Sequence, residues 1–424
     1  MILQLTAFRA IIASLLVALS GAVAFEFGEP TVNYLRGKPE VHLTVFVHGS
    51  IFSAFSILNL GRVIKDDLSE TDLYVRTISR LRTYDVLQQD QVLQQEGFHP
   101  LRTITFDFND LSAKEQKAAA PHLVPAYIAC SNLLESEGVD HVVYTFGHLG
   151  LLSGTYRRDV AEDFYDALCA KVSELEQQYL NVKVTIVTHS HGGNVALNLA
   201  YWQEQKKRGL EIDNLVMLGC PIQAETAPYA FNPVFKHVYN VYSDGDIVQS
   251  ADTISTPSRA SYRKLFDGRL KIKRPADLNV VKDIRLRVNE SKKRIDHANM
   301  WLMGISRKAC RTLDPLPILV LIPMIVHAAD QAQEKRLDCN IISTHQNVSV
   351  QIRPHGQREI IAQTNNIHTH AVAWNKAVLK SWSPDYKSRN VIFSFKMRKV
   401  ISTVVKDWWS GNSVERQPGE ACRV

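Results

Sequence analysis

Residues 187–194 read Val187-Thr188-His189-Ser190-His191-Gly192-Gly193-Asn194. They close a run of mostly β-branched residues, 182–187 (VKVTIV), and lead straight into a helical pattern over 194–205. A serine set between a strand and a helix needs a sharp turn with strained backbone. Small neighbours relieve the crowding, and Gly192 does so two positions after Ser190. The position two before Ser190 is Thr188, where glycine is usual. Such a turn lifts the hydroxyl above the sheet edge and points the amino end of a helix at it. Helix dipole and N–H groups can then stabilise developing negative charge.

Outward from this turn, short apolar runs recur between longer helical patterns: 41–47 (VHLTVFV), 103–108 (TITFDF), 141–146 (HVVYTF), 215–218 (LVML), 237–242 (HVYNVY) and 284–288 (IRLRV). The runs are continuous rather than alternating, as in a mostly parallel sheet covered on both faces. Over 158–179, Val160, Phe164, Leu168, Val172 and Leu175 recur at helical spacing, a stripe that packs on a sheet. Strand, turn and helix repeat, which predicts a doubly wound α/β domain.

Several segments then resemble the α/β-hydrolases of the esterase and lipase group. They are VFVHGS after the early strand (45–50), THSHGGNVALNLA at the serine turn (188–200), and LGCP after the next strand (218–221). The resemblance covers roughly residues 40–305 and implies an α/β-hydrolase fold with serine chemistry. It orders the site as serine, acid, histidine along the chain. Ser190 is the nucleophile. The acid falls just past the strand after LGCP, where Asp246 followed by Ile247-Val248 matches the family's D-x-V better than Asp244, which precedes a glycine and suits the turn itself. The base follows the last strand, in the segment 294–300 (RIDHANM), giving His297. His368 and His370 are alternatives if the carboxy-terminal part completes the site. The oxyanion hole draws main-chain N–H groups from His191 and from the His48-Gly49-Ser50 turn, through Ser50 or Ile51. His148, at the end of the 141–146 run, stands where ligands bind in such sheets.

The implied reaction is hydrolysis of a carboxylic ester, lipid-like or with another apolar acyl group, through an acyl-enzyme on Ser190. A thioesterase, amidase or acyltransferase would use the same residues, and a binding protein could keep the fold without turnover. No HExxH, CxxC or carboxylate cluster suggests a metal, and His189 and His191 read as part of the turn rather than as ligands. With no GxGxxG or Walker-type loop, no cofactor is expected.

The chain has 424 residues, 45% hydrophobic and 22% charged, an ordinary globular composition. Its formal charge of +6 is too mild to imply nucleic acid. Residues 1–24 read as an export signal: Arg9, an apolar stretch over 10–19, and Ala22-Val23-Ala24 before the cleavage point. The expected location is secreted or periplasmic, with an uncleaved membrane anchor as the other reading. The hydrolase domain then occupies 25–309, with an insertion at about 65–134. Between Arg263 and Arg294 stand twelve Lys or Arg and four Asp or Glu, a solvated face or a contact with an anionic membrane surface.

Residues 310–424 are expected to form an α+β extension. Residues 313–329 are apolar but hold three prolines and fit a buried segment rather than a membrane span. Residues 347–353 and 358–363 alternate about Pro354-His355-Gly356-Gln357 as a β-hairpin, 371–381 look helical, and the end reads as a flexible tail. Six cysteines permit disulfides, with Cys310–Cys339 the preferred pair and Cys169 and Cys220 buried thiols.

Overall fold

The computed structural model describes residues 40–50, 96–103, 139–252, 255–272, 280–288, 318–343, 347–356 and 370–375, with isolated positions that include Tyr127, Cys130, Ile295, His297 and Met300. The strands are β1 (Glu40–Val47), β2 (Gly97–Thr103), β3 (Asp140–Gly147), β4 (Asn181–His189), β5 (Ile212–Leu218), β6 (Ile222–Gln223), β7 (Phe235–Tyr242), β8 (Ser261–Tyr262), β9 (Val280–Val288), β10 (Arg336–Ser343), β11 (Asn347–Pro354) and β12 (His370–Asn375). The α-helices are α1 (Gly154–Glu176), α2 (Gly192–Leu197), α3 (Leu199–Lys206), α4 (Val248–Ala251) and α5 (Ile322–Asp330).

Ten strands form one sheet in the order β12-β11-β10-β9-β7-β5-β4-β1-β3-β2. The run from β3 to β10 is parallel throughout. β2 and β11 are antiparallel to their neighbours. Alternate residues of each central strand serve two cores. Val45, Val47 and Ile186 face one core, shared with Phe164 and Leu168 of α1. Phe46 and Val187 face the other, with Ile322 and Ile325 of α5. Each such aliphatic side chain contributes about 1.5–3 kcal/mol by leaving water. Apolar burial on both faces explains why these strands read as continuous apolar runs.

Ser153 caps α1, its hydroxyl accepting from the Tyr156 N–H at 3.3 Å. The helical pattern after the serine turn is two helices, α2 and α3, meeting at Asn198. The parallel register brings the carboxyl ends of β1, β4, β5 and β7 to one edge, pairing Val47 with Thr188, His189 with Leu218 and Leu218 with Val241. That edge carries the candidate residues.

Several expectations are corrected. Of the run read as a strand at 103–108, only Thr103 is described, as the end of β2, which runs antiparallel to β3; 104–108 fall outside the described residues. Residues 371–375, expected to be helical, lie in β12, whose backbone satisfies the otherwise unpaired edge of β11. β11 pairs with β10 and β12, not with 358–363, which lie outside the described residues. β9 does not end the parallel series, because β10 pairs parallel with it. The strands after residue 310 therefore lengthen the hydrolase sheet. Residues 322–330 form the buried helix α5. Cys339 is a free, buried thiol rather than half of a disulfide; Cys310 lies outside the described residues, as do 1–24, nearly all of the insertion and the carboxy-terminal tail. Among the described residues no helix is long and apolar enough to cross a membrane.

The basic run from Arg263 is partly internal. Lys282 is buried and donates to the carbonyls of Ala329 and Ala332 at the end of α5. Arg285 grips Asp338 of β10 with two hydrogen bonds of 2.7 and 2.8 Å. Arg269 pairs with Asp267.

Candidate active site

Ser190 follows directly on β4 with φ +51°, a left-handed conformation that costs a non-glycine residue energy and marks a functional turn. Its N–H donates to Leu218 O at 2.9 Å, tying the turn to the end of β5. The turn closes only because three positions lack side chains. A Cβ on Gly49 would lie 2.5 Å from Ser190 Cβ, one on Gly192 2.6 Å from both Val47 O and His48 O, and one on Gly193 2.5 Å from Cys220 Sγ. The Thr188 hydroxyl donates to Val216 O at 3.3 Å, which accommodates threonine where glycine is usual.

Asp246 is fully buried after β7. One carboxylate oxygen receives the His297 Nδ1–H at 2.7 Å, and the other accepts the Gln249 N–H at 3.2 Å. Arg263 Nε donates to the Asp246 carbonyl, so its backbone is fixed as well. Asp244 sits apart, half-exposed and 3.3 Å from Arg285. Of the two acids, Asp246 is the one that meets the histidine. With a proton on Nδ1 facing the carboxylate, His297 keeps an unprotonated Nε2 able to accept another.

His297 is braced from the Ser190 turn. His189, next to Ser190, donates from Nε2 to the His297 carbonyl at 3.0 Å, and the two rings lie 4.6 Å apart. Burial, with His297 beside it, holds His189 well below the usual histidine range, so its ring is neutral. Reading the sequence missed this brace, and also missed Gly219. That residue has φ +62°, and a Cβ there would lie 3.0 Å from Asp246 Oδ2 and 3.3 Å from His297 Nδ1.

Behind the turn, His191 Nε2 faces Asp252 at 3.2 Å and its Nδ1 faces the Asn194 amide at 3.3 Å. Burial first, then the charge of Arg157, hold His191 down to about 4 against the pull of Asp252. Burial pushes the Asp252 carboxyl up, but hydrogen bonds from His191 and Ser255 and the charge of Arg157 outweigh it and hold it well below the usual carboxylate range. Arg157 is itself buried and donates to Leu152 O, Gln223 Oε1 and Ser255 O. This network fixes the residue that follows Ser190. Ser50 lies past β1, and its hydroxyl oxygen is buried without a hydrogen-bond partner.

His370 opens β12, six strands from β4 in the sheet and about 29 Å away at ~4.8 Å per strand, beyond reach of Ser190. His368 lies outside the described residues. Among the described residues, no group of three or more His, Cys, Asp or Glu side chains could hold a metal ion.

The sheet, its helical cover and a serine on a strand-to-helix turn define an α/β-hydrolase. Residues 134–255 match the family model of class 3 lipases, a stretch that contains both Ser190 and Asp246. The chain is a lipase-like serine hydrolase of the α/β-hydrolase superfamily, an enzyme acting on esters. Comparison with curated proteins and with solved structures finds no match.

Proposed function

We propose that Ser190, His297 and Asp246 form the catalytic triad of a hydrolase of carboxylic esters with apolar acyl groups. The observation that carries this reading is the 2.7 Å contact from His297 Nδ1 to the buried Asp246, which leaves Nε2 able to act as a base, while the His297 carbonyl is tied to His189 next to Ser190. His297 takes the Ser190 proton as the oxygen attacks the ester carbonyl, and Asp246 steadies the imidazolium. The N–H groups of His191 and Ser50 receive the oxyanion, and the unpartnered Ser50 hydroxyl is free to add to them. His297 then gives its proton to the departing alcohol. Water activated by the same imidazole releases the acid from the acyl-enzyme.

The class 3 lipase match supports an apolar ester over thioester or amide. Ile247 and Val248, next to Asp246, are 73% and 46% exposed and place apolar surface beside the site. The intact acid–histidine contact supports turnover over binding alone. An exported enzyme meeting an anionic lipid surface fits the signal-like first 24 residues and the basic run, although that run gives Lys282 and Arg285 to internal contacts.

Hydrolysis of p-nitrophenyl esters from acetate to palmitate tests the reading. Turnover that rises with acyl length and disappears in Ser190→Ala and His297→Ala is the expected result. Unchanged turnover in either variant would overturn it, and a preference for acetate would refute the apolar acyl group.

A further inference from the structure

The reaction above makes no use of two buried imidazoles on the adjacent turns after β1 and β3. His48 and His148 stack with ring planes 4° apart and centroids at 4.4 Å. Their hydrogen bonds fix both tautomers. The His148 main-chain N–H donates to His48 Nε2 at 3.1 Å, so the His48 proton is on Nδ1, which reaches Gly49 O at 2.7 Å. The Gly150 N–H donates to His148 Nδ1 at 3.0 Å, so the His148 proton is on Nε2, which donates to His48 O at 2.9 Å. Two successive carbonyls of the turn are thus each held by an imidazole N–H.

The consequence falls on the next amide. No peptide bond described is cis, and in a trans peptide the C=O and N–H point in opposite directions. Holding Gly49 O toward His48 therefore aims the Ser50 N–H the other way. The turn also lies against the nucleophile, since Gly49 has no room for a Cβ beside Ser190. A peptide flip here would remove one oxyanion donor without unfolding anything.

We propose that His48 and His148 form a latch, two positioning residues that hold the Gly49–Ser50 peptide in the orientation that receives the oxyanion. This rests on the Ser190 reading. Both imidazoles are buried and spend their N–H groups on the carbonyls of the turn, so they act through the peptide that meets the charged oxygen of the transition state.

The test uses the full chain and a matched pair of esters, an oxyester and its thionoester, whose sulfur is a poor acceptor of oxyanion-hole hydrogen bonds. In His148→Leu the donor to His48 O is lost. The expected result is a fall in kcat for the oxyester of ~10²-fold, the order seen when an oxyanion donor is removed, with KM unchanged. The thionoester rate falls far less, so the oxygen-to-sulfur rate ratio drops. His148→Gln, whose amide can still donate toward His48 O, restores most of the ratio. If the leucine variant does not fold, His148→Asn, too short to reach His48 O, is read the same way. A ratio that stays at the wild-type value in a folded variant, whatever the loss of rate, would overturn the latch and leave the imidazoles as core packing. A wild-type chain inert toward both esters would overturn the Ser190 reading, and the latch with it.

Discussion

Gly219→Ala puts one methyl group into the contact on which the proposed chemistry depends. Gly219 has φ +62°, where an L-residue costs about 1–2 kcal/mol. Its Cβ would lie 3.0 Å from Asp246 Oδ2, 3.2 Å from Met300 Sδ and 3.3 Å from His297 Nδ1, closer than these atoms tolerate without moving. Overpacking of this kind costs about 1–3 kcal/mol, so the summed loss of stability is about 2–5 kcal/mol. Asp246 and His297 are among the groups that must give by a few tenths of an ångström; since a misplacement of about 1 Å costs ~10²-fold, a shift of about half that costs ~10-fold in kcat, about 1.4 kcal/mol of barrier. Gly209→Ala is the control. Gly209 has φ +75° with nothing within 4 Å of its would-be Cβ, so the variant carries only the backbone cost. Urea midpoints and ester kcat for both variants separate the effects. Gly209→Ala should lose about 1–2 kcal/mol at wild-type kcat, and Gly219→Ala should lose more stability and ~10-fold in kcat. Wild-type kcat in Gly219→Ala would refute the claim that Asp246 and His297 act as a pair.

Asp246→Asn should lower kcat ~10⁴-fold, whereas Asp244→Asn, at a half-exposed partner of Arg285, should leave it within tenfold; steady-state kinetics on one ester decides between the two acids. Stability should fall as pH drops from about 6.5 to about 4. The folded chain keeps His191 neutral down to about 4 while the unfolded chain takes up that proton near 6.5, so protons favour unfolding. The loss attributable to His191 is about 3 kcal/mol, read as urea midpoints against pH and reduced in His191→Gln. Arg285→Met leaves Asp338 buried with only His355 and Gly356 as partners and should cost about 3 kcal/mol at neutral pH. Burial pushes the Asp338 carboxyl up, but Arg285 outweighs it and lowers its pKa, so this contribution exists above the unfolded value and is lost as acid protonates the folded carboxylate. The gap between wild type and variant should therefore narrow in acid.

The parallel strands were legible because burial on both faces leaves continuous apolar runs, as in β4 and β5. The serine turn was legible because glycine must follow it closely. β10 was not: Arg336, Asp338 and Asn340 interrupt its sequence, and Asp338 is tolerated inside only because Arg285, 53 residues earlier, neutralises it. The segment 371–375 carries no period that separates helix from strand, and the open edge of β11 decided the matter. Asp246 and His297 could be nominated from their order along the chain. The His189 brace could not, because a bond from a side chain to a carbonyl 108 residues away leaves no local pattern. Gly49 and Gly219 were equally silent, since what excludes a side chain there is packed from distant strands.

The most direct measurement is reaction of the folded chain with a fluorophosphonate, followed by mapping of the modified peptide. A single adduct on Ser190, absent in Ser190→Ala and formed far more slowly in His297→Ala, is the predicted result. An adduct on another residue, or none on folded wild-type protein, would contradict the assignment of this serine as the nucleophile.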